Sequence, residues 1–249
     1  MKGEARKILL LAGTAEAREI AEHLVHDADY DAVASLAGST RDPDALPLPT
    51  RIGGFGSAQG FANYLTQNGV AAVIDATHPF AWRISARSAE ICTDLGVPYL
   101  QVLRPPWQAG PGDNWIMLAN EEEAAQHARP PETVFLATGR RTLERFAVLK
   151  GCRIFCRRID RPRRPFPFPG GQYLIGRPPF SVADEKSLFR RLGIDWLVVK
   201  NAGGASSRSK LDAAAELGLP VLMVKRPPQP DAPRVETATG ALSWMAALG

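Results

Sequence analysis

Cysteine is scarce: Cys92, Cys152 and Cys156 are the three in 249 residues, and no CxxC pair occurs. A sparse, odd set implies no disulfide framework. Cys152 and Cys156 lie four apart in the strand-like run Cys152-Arg153-Ile154-Phe155-Cys156, which puts them on one face. The further ligands that zinc requires are missing nearby, so the run reads as buried or idle thiols and no metal is expected. Long apolar stretches are missing too. No segment has the roughly eighteen consecutive apolar residues of a membrane span, and Met1 to Arg6 lacks a signal-peptide pattern. A cytoplasmic protein with no membrane partner is expected. Histidine is rare at four, and His23 and His26 fall among polar residues on a helix, as solvated side chains do. The dinucleotide fingerprint is incomplete as well: where G-x-G-x-x-G wants three glycines, this chain has Gly13, Ala15 and Arg18.

What is present is an ordinary globular composition, 45% hydrophobic and 22% charged, with a net charge of +4 and a pI near 9.1. A basic balance suits an anionic partner: nucleic acid, a nucleotide cofactor or a polycarboxylate. The sharpest excess is Arg157 to Arg164, followed by Pro165-Phe166-Pro167-Phe168-Pro169. It reads either as a proline-stiffened solvated loop or as an anion-facing lip. No nucleic-acid module accompanies the charge, so no nucleic-acid partner is expected.

The chain is organised around Ala72-Val73-Ile74-Asp75-Ala76-Thr77-His78-Pro79-Phe80. An uninterrupted apolar run suits a strand covered on both faces, and apolar Phe80, Ile84, Ile91 and Leu95 then mark an amphipathic helix. Polar groups at the carboxyl end of such a strand sit where open α/β sheets hold ligands, so Asp75, Thr77 and His78 are the first candidates for chemistry, with Ala76 between them. The unit recurs. Leu95-Gly96-Val97-Pro98 leads through a strand to Arg104-Pro105-Pro106, and Leu217-Gly218-Leu219-Pro220 leads through another to Arg226-Pro227-Pro228. The second copy follows the strand Trp196 to Val199 and the loop Lys200-Asn201-Ala202-Gly203-Gly204. Two α/β halves are expected: Rossmann-like domains over 1–106 and 115–249, joined by a Gly/Pro-rich linker at 107–114. Their sheets should be mainly parallel, with a ligand cleft between them.

The remaining candidates lie at strand ends. Lys7 to Ala12 reads as a strand, and Gly13-Thr14-Ala15 turns it into a helix, aiming backbone N–H groups and a positive helix end at a phosphate. After the second strand, Ala32 to Ala37, comes Gly38-Ser39-Thr40-Arg41. Two hydroxyls and an arginine where NAD-binding domains place an acid favour NADPH over NADH. In Arg51-Ile52-Gly53-Gly54-Phe55-Gly56 the glycines permit close backbone approach, and Phe55 either covers a flat ligand or anchors a hairpin. A helix is expected over Glu121 to Arg129. Thr138-Gly139-Arg140 repeats the strand-to-helix turn, Arg140 being an anion clamp or a helix-face charge. Ser181 to Asp184 has capping-box spacing. Lys200, leaving a buried strand beside two glycines, suits a carboxylate or phosphate, and Lys210 follows on the next helix.

Together, Leu11 to Arg18, Ser35 to Gly38, Arg51 to Gly56, Asp75 to Ala81, Arg104 to Trp107 and Lys200 to Gly204 resemble the precorrin-6A reductase family of cobalamin biosynthesis, in order along nearly the whole chain. One departure stands at position 39, which is Ser where the family's loop carries Arg; here the arginine is Arg41. The resemblance implies hydride transfer from a nicotinamide nucleotide to a double bond of the precorrin-6A macrocycle, giving precorrin-6B; the loop at 38–41 makes NADPH the expected nucleotide, and Asp75 and His78, at the end of their strand, are expected to shape the nicotinamide site. It also implies a tetrapyrrole partner, whose carboxylates Arg140, Lys200, Asn201, Gly203, Lys210 and the Arg157 to Arg164 loop would hold. The rival readings are a cobalt-precorrin-6A reductase using NADH and a non-catalytic two-lobed binder of an anionic small molecule. Nothing in the sequence sets the oligomeric state, and a monomer is compatible with it.

Overall fold

The computed structural model describes residues 5–38 and 44–248. In chain order it forms β1 (Arg6–Leu11), α1 (Ala15–Leu24), β2 (Tyr30–Leu36), β3 (Thr50–Ile52), α2 (Ala58–Gln67), β4 (Ala72–Asp75), α3 (Trp82–Leu95) and β5 (Tyr99–Val102). There follow β6 (Trp115–Leu118), β7 (Thr133–Leu136), β8 (Arg153–Arg158), β9 (Gly171–Ile175), α4 (Val182–Leu192), β10 (Trp196–Lys200), α5 (Ser209–Leu217) and β11 (Val221–Val224). The chain ends with β12 (Arg234–Val235) and α6 (Ala238–Ala246).

Two compact units result: Met1–Pro105 with Pro227–Gly249, and Pro106–Arg226. Each holds one six-stranded sheet, ordered β12-β5-β4-β1-β2-β3 in the first and β6-β11-β10-β7-β8-β9 in the second. Every pairing is parallel. Both orders are the doubly wound Rossmann arrangement, with the direction of winding reversing beside β1 and beside β7. The sixth place in each is filled from outside the run of five: β12 arrives late in the chain, and β6 precedes β7.

This corrects the expected division. Residues 227–249 do not continue the second domain, because the second Arg-Pro-Pro step leads back to the open edge of β5. Gln101 on that strand is 3% exposed and needs partners for both halves of its amide. The returning segment supplies them: Gln101 Nε2 donates to Gln229 Oε1 at 2.9 Å, and Arg234 Nε donates to Gln101 Oε1 at 3.0 Å. α6 then packs on α1. Residues 107–114 are likewise part of the second unit rather than a free linker.

Strand alternation explains the cores. Ile8 and Leu10 face Ile20, Leu24 and Met245 on one side of the first sheet, while Leu9 and Leu11 face Phe61, Leu65 and Ile91 on the other. In the second unit, Leu197 and Val199 pack with Phe189, Leu211 and Met223. Each fully buried aliphatic side chain contributes about 1.5–3 kcal/mol. The expected capping box forms: Ser181 Oγ accepts from Asp184 N, and the Asp184 carboxylate accepts from Ser181 N. The helix expected over Glu121 to Arg129 is only a 3-10 turn at Glu122–Gln126. Asn120 and Glu123 cap each other there, and Pro130-Pro131 leaves no room for an α-helix to propagate. The turn after β7 likewise leads into a 3-10 segment, Leu143–Val148.

Candidate functional site

In the first unit the candidates gather where the strand order reverses. β1 runs into Gly13, whose φ of +150° only glycine adopts readily, and a Cβ there would meet no heavy atom within 4 Å. The backbone is therefore open on that side. Thr14 follows as the N-cap of α1, its Oγ1 accepting from Ala17 N at 3.2 Å and donating to Ala76 O at 2.8 Å. One hydroxyl thus caps the helix and ties the β1–α1 turn to the exit of β4. Glu16, in the first turn of α1, would repel an approaching anion, but Arg104 pairs with it at 2.7 Å.

The exit of β4 is held by Asp75, which is 1% exposed. Its Oδ1 accepts from Thr77 N at 3.0 Å and its Oδ2 from Tyr99 Oη at 2.7 Å. Burial and the neighbouring Asp75 carboxylate push the Tyr99 phenol upward, and the same causes raise the Cys92 thiol to about 12. With both oxygens engaged in the interior, Asp75 braces the Ala76-Thr77 backbone against β5. His78, three residues after Asp75, is exposed; its Nδ1 accepts from Phe80 N at 3.2 Å. Gln229 Nε2 donates to Pro79 O at 3.0 Å, so the returning segment also braces this loop.

Ser39, Thr40 and Arg41 lie outside the described residues. At the neighbouring strand ends the structure singles out Arg51. Its Nη1 donates to Ser35 Oγ at 2.8 Å and Gly53 O at 3.0 Å, its Nη2 to Gly54 O at 3.2 Å, and its guanidinium lies 3.8 Å from the Phe55 ring centroid. Phe55 also meets Phe61 and Tyr64 edge-on, at 4.8 and 5.1 Å. Of the two readings of Phe55, the anchoring one describes its contacts, and Gly54 remains exposed for close approach. Arg51 and Arg104 were missed as individual residues. Their signals were an arginine four before an aromatic in a glycine loop, and an arginine two residues past a buried strand.

The second unit repeats the arrangement beside β7. Thr138 follows β7 with its Oγ1 buried and without a hydrogen-bond partner among the described residues, and Arg140 is exposed beyond it. Lys200, at the end of β10, lies 3.7 Å from the buried Glu121, which Arg145 also approaches at 3.0 Å. Burial lowers the Lys200 amine, against the opposing pull of Glu121. Asn201 was expected to face a ligand. Instead its Oδ1 accepts from Trp107 N at 2.8 Å and its Nδ2 donates to Trp107 O at 3.0 Å, while Trp107 Nε1 donates to Gly204 O at 2.8 Å. Asn201 is the anchor of the segment after Pro106, and Gly203 sits in the loop so anchored. Lys210 donates to Ser207 O and lies 5.7 Å from the Trp107 ring. Its amine is pushed down to about 8, mainly by burial, with Arg157 adding to the shift and Glu185 opposing it. Arg157 makes a bidentate pair with Glu185 at 2.6 and 2.5 Å and so belongs to the interior.

The three cysteines are buried and unpaired. Among the described residues no group of three or more His, Cys, Asp or Glu side chains is placed to hold a metal ion, and no helix is long and apolar enough to cross a membrane.

Comparison with known proteins identifies the family. Residues 7–246 match the family model described as Precorrin-6x reductase CbiJ/CobK. A precorrin-6A reductase of Rhodobacter capsulatus is 42% identical over 244 residues, covering 98% of this chain and 97% of that one. The cobalt-precorrin-6A reductase of Priestia megaterium is 30% identical over 233 residues, covering 88% and 90%. A solved structure, "CobK precorrin-6A reductase", superposes with a TM-score of 0.92 at 41% identity, covering 98% of this chain and 97% of that one.

Proposed function

The chain belongs to the precorrin-6x reductase family, and on that premise we propose that it reduces precorrin-6A to precorrin-6B in cobalamin biosynthesis with NADPH as hydride donor. The observation that carries this reading is the grading of its relatives. Those named precorrin-6A reductase stand at 40–42% identity across nearly the full length of both chains, whereas those named cobalt-precorrin-6A reductase stand at 24–30%. That gap favours the cobalt-free macrocycle.

A nicotinamide nucleotide fits the first unit. The open face of Gly13 leaves room for a pyrophosphate at the start of α1, where the helix dipole favours negative charge. Arg104 neutralises the one acid in that first turn. Thr14 and the Asp75–Tyr99 pair hold the two flanking turns, so Gly13, Thr14, Ala15, Ala76 and Thr77 form a pre-shaped backbone surface. Gly54 and Phe55, braced by Arg51, form its neighbour at the end of β3. Ser39, Thr40 and Arg41 are the assigned readers of the extra phosphate of NADP. When bound, the nucleotide supplies the hydride, and a proton must reach the adjacent carbon of the macrocycle. Asp75 acts here as a positioning residue, and His78, exposed in the same loop, is assigned the polar contact with the reacting groups. Arg140, Lys200, Lys210 and the Gly203 loop are assigned to the substrate's carboxylates.

Calorimetric titration with NADPH and with NADH tests the cofactor. Arg41→Ala should weaken NADPH about ten- to a hundred-fold and leave NADH unchanged. Mass spectrometry of the product tests the reaction. Equal binding of both nucleotides would remove the NADPH preference. NADPH consumption without addition of two hydrogens to precorrin-6A would remove the reaction.

A further inference from the structure

A cavity of about 740 Å³ opens on the second unit, within the usual size of a ligand pocket. Its walls carry Arg140 from the loop after β7, Arg158 from the end of β8, Arg163 and Arg164 from the basic loop, and the rings of Phe166 and Tyr173. Glu144 carries the lone carboxylate among the lining residues. Among the described residues, no carboxylate lies within ion-pair distance of these four guanidinium groups. Four positive forks thus converge on one concavity with a single opposing charge.

The loop that presents two of them is built rather than loosely solvated. Phe166 packs against Tyr173 and Phe168, with ring centroids 4.8 Å apart in each case, and the Arg158 guanidinium lies 4.9 Å from the Tyr173 ring centroid. Gly171, opening β9, is what allows Phe166 to sit there: a Cβ at 171 would fall 2.1 Å from two carbons of the Phe166 ring. The prolines at 165, 167 and 169 stiffen the same stretch. Arginine forks bind carboxylates bidentately, and adjoining aromatic rings suit a flat apolar body.

We propose that this cavity, lined by Arg140, Arg158, Arg163, Arg164, Phe166 and Tyr173, binds one edge of a polycarboxylated tetrapyrrole. This deepens the reductase reading and rests on it for the identity of the natural ligand. Arg140, Arg163 and Arg164 are exposed, so the site grips one edge of the substrate from an open face and acts as a handle that orients it.

The test uses the full chain and uroporphyrin, a stable octacarboxylate porphyrin, titrated by its fluorescence, with NADPH titrated in parallel. R163A/R164A should weaken uroporphyrin binding about ten-fold or more, leave NADPH affinity unchanged, and raise the KM for precorrin-6A while kcat stays constant. G171A should weaken uroporphyrin in the same direction while retaining every arginine, because it unseats Phe166. R190A/R191A, which removes two exposed charges from the end of α4, should leave uroporphyrin binding near wild type. Wild-type uroporphyrin affinity in R163A/R164A overturns the proposal, as does an equal loss in R190A/R191A, which would mean general attraction by net charge. Arginine-dependent uroporphyrin binding by a chain that binds no nicotinamide nucleotide would sink the reductase reading and leave the cavity standing. NADPH-driven turnover with an unmoved KM in R163A/R164A would do the reverse.

Discussion

Replacing Tyr99 by Phe deletes a single oxygen from the interior of the first unit. That oxygen donates to Asp75 Oδ2 at 2.7 Å, where Tyr99 is 6% and Asp75 1% exposed. The ring keeps its packing beside Ile91 and Cys92, so no cavity term enters. What is lost is a buried hydrogen bond to a carboxylate, about 1.5–3 kcal/mol. For a chain of this length that lowers the melting temperature by about 3–12 °C. Urea denaturation of the wild type and Y99F measures it, and the D75N and D75N/Y99F chains complete a double-mutant cycle. In the D75N background the same Tyr99 change should cost less, because the acceptor no longer carries charge. NADPH affinity should fall in Y99F, since Ala76 and Thr77 depend on Asp75 for their position. A loss below about 0.5 kcal/mol, the range of surface substitutions, or an equal loss in both backgrounds, would refute the claim that this pair holds the exit of β4. Loss of turnover in D75N with stability and nucleotide binding intact would instead make Asp75 a catalytic residue.

Thr14→Val should cost about 0.5–2 kcal/mol by uncapping α1 and should weaken NADPH, while Thr14→Ser, which keeps the hydroxyl, should restore both; thermal melts and calorimetry check this. Glu185→Gln leaves Arg157 poorly paired, with 12% of its side chain exposed, and should destabilise the second unit by about 3–5 kcal/mol in urea, the paired change R157M/E185L recovering most of it. Lys210 has its folded pKa, about 8, below its ordinary 10.5, so between these values the unfolded chain holds the extra proton and stability rises with pH. The rise is complete above 10.5 and absent below 8. Buried Cys92 and Cys156, with raised values, pull the other way at high pH. The difference in melting temperature between wild type and Lys210→Met, followed from pH 7 to 11, should isolate the lysine; a pH-independent difference would contradict the assignment.

Local signals were legible where local physics decides. Ser181 and Asp184 are three apart and cap the same helix end in any context. Ile8 to Leu11 alternate between two faces, each of which finds a helix. Gly96 and Gly218 end their helices in the left-handed conformation, as the repeated Leu-Gly-x-Pro step suggests. Glu121 to Arg129 misled because helix formation needs several turns to repay its nucleus, and Pro130-Pro131 stops propagation after one. Asp75 and Asn201 were ambiguous for another reason. A polar side chain at a strand end has the same sequence signature whether it meets a ligand or a buried backbone group.

By itself, then, the sequence determined the two parallel α/β sheets, most of their strands and helices, and the carboxyl-end loops at Gly13, Ala76, Thr138 and Lys200, because hydrophobic period, capping and turn residues act over a few positions. Only the tertiary structure decided which strand fills the sixth place in each sheet, that Gln101 requires Gln229 and Arg234, that Asn201 holds Trp107, and that Arg157 turns inward while Arg163 and Arg164 line a cavity. Those outcomes depend on partners far away in the chain. A buried polar group must find a partner and an exposed one need not, and burial is a property of the folded whole.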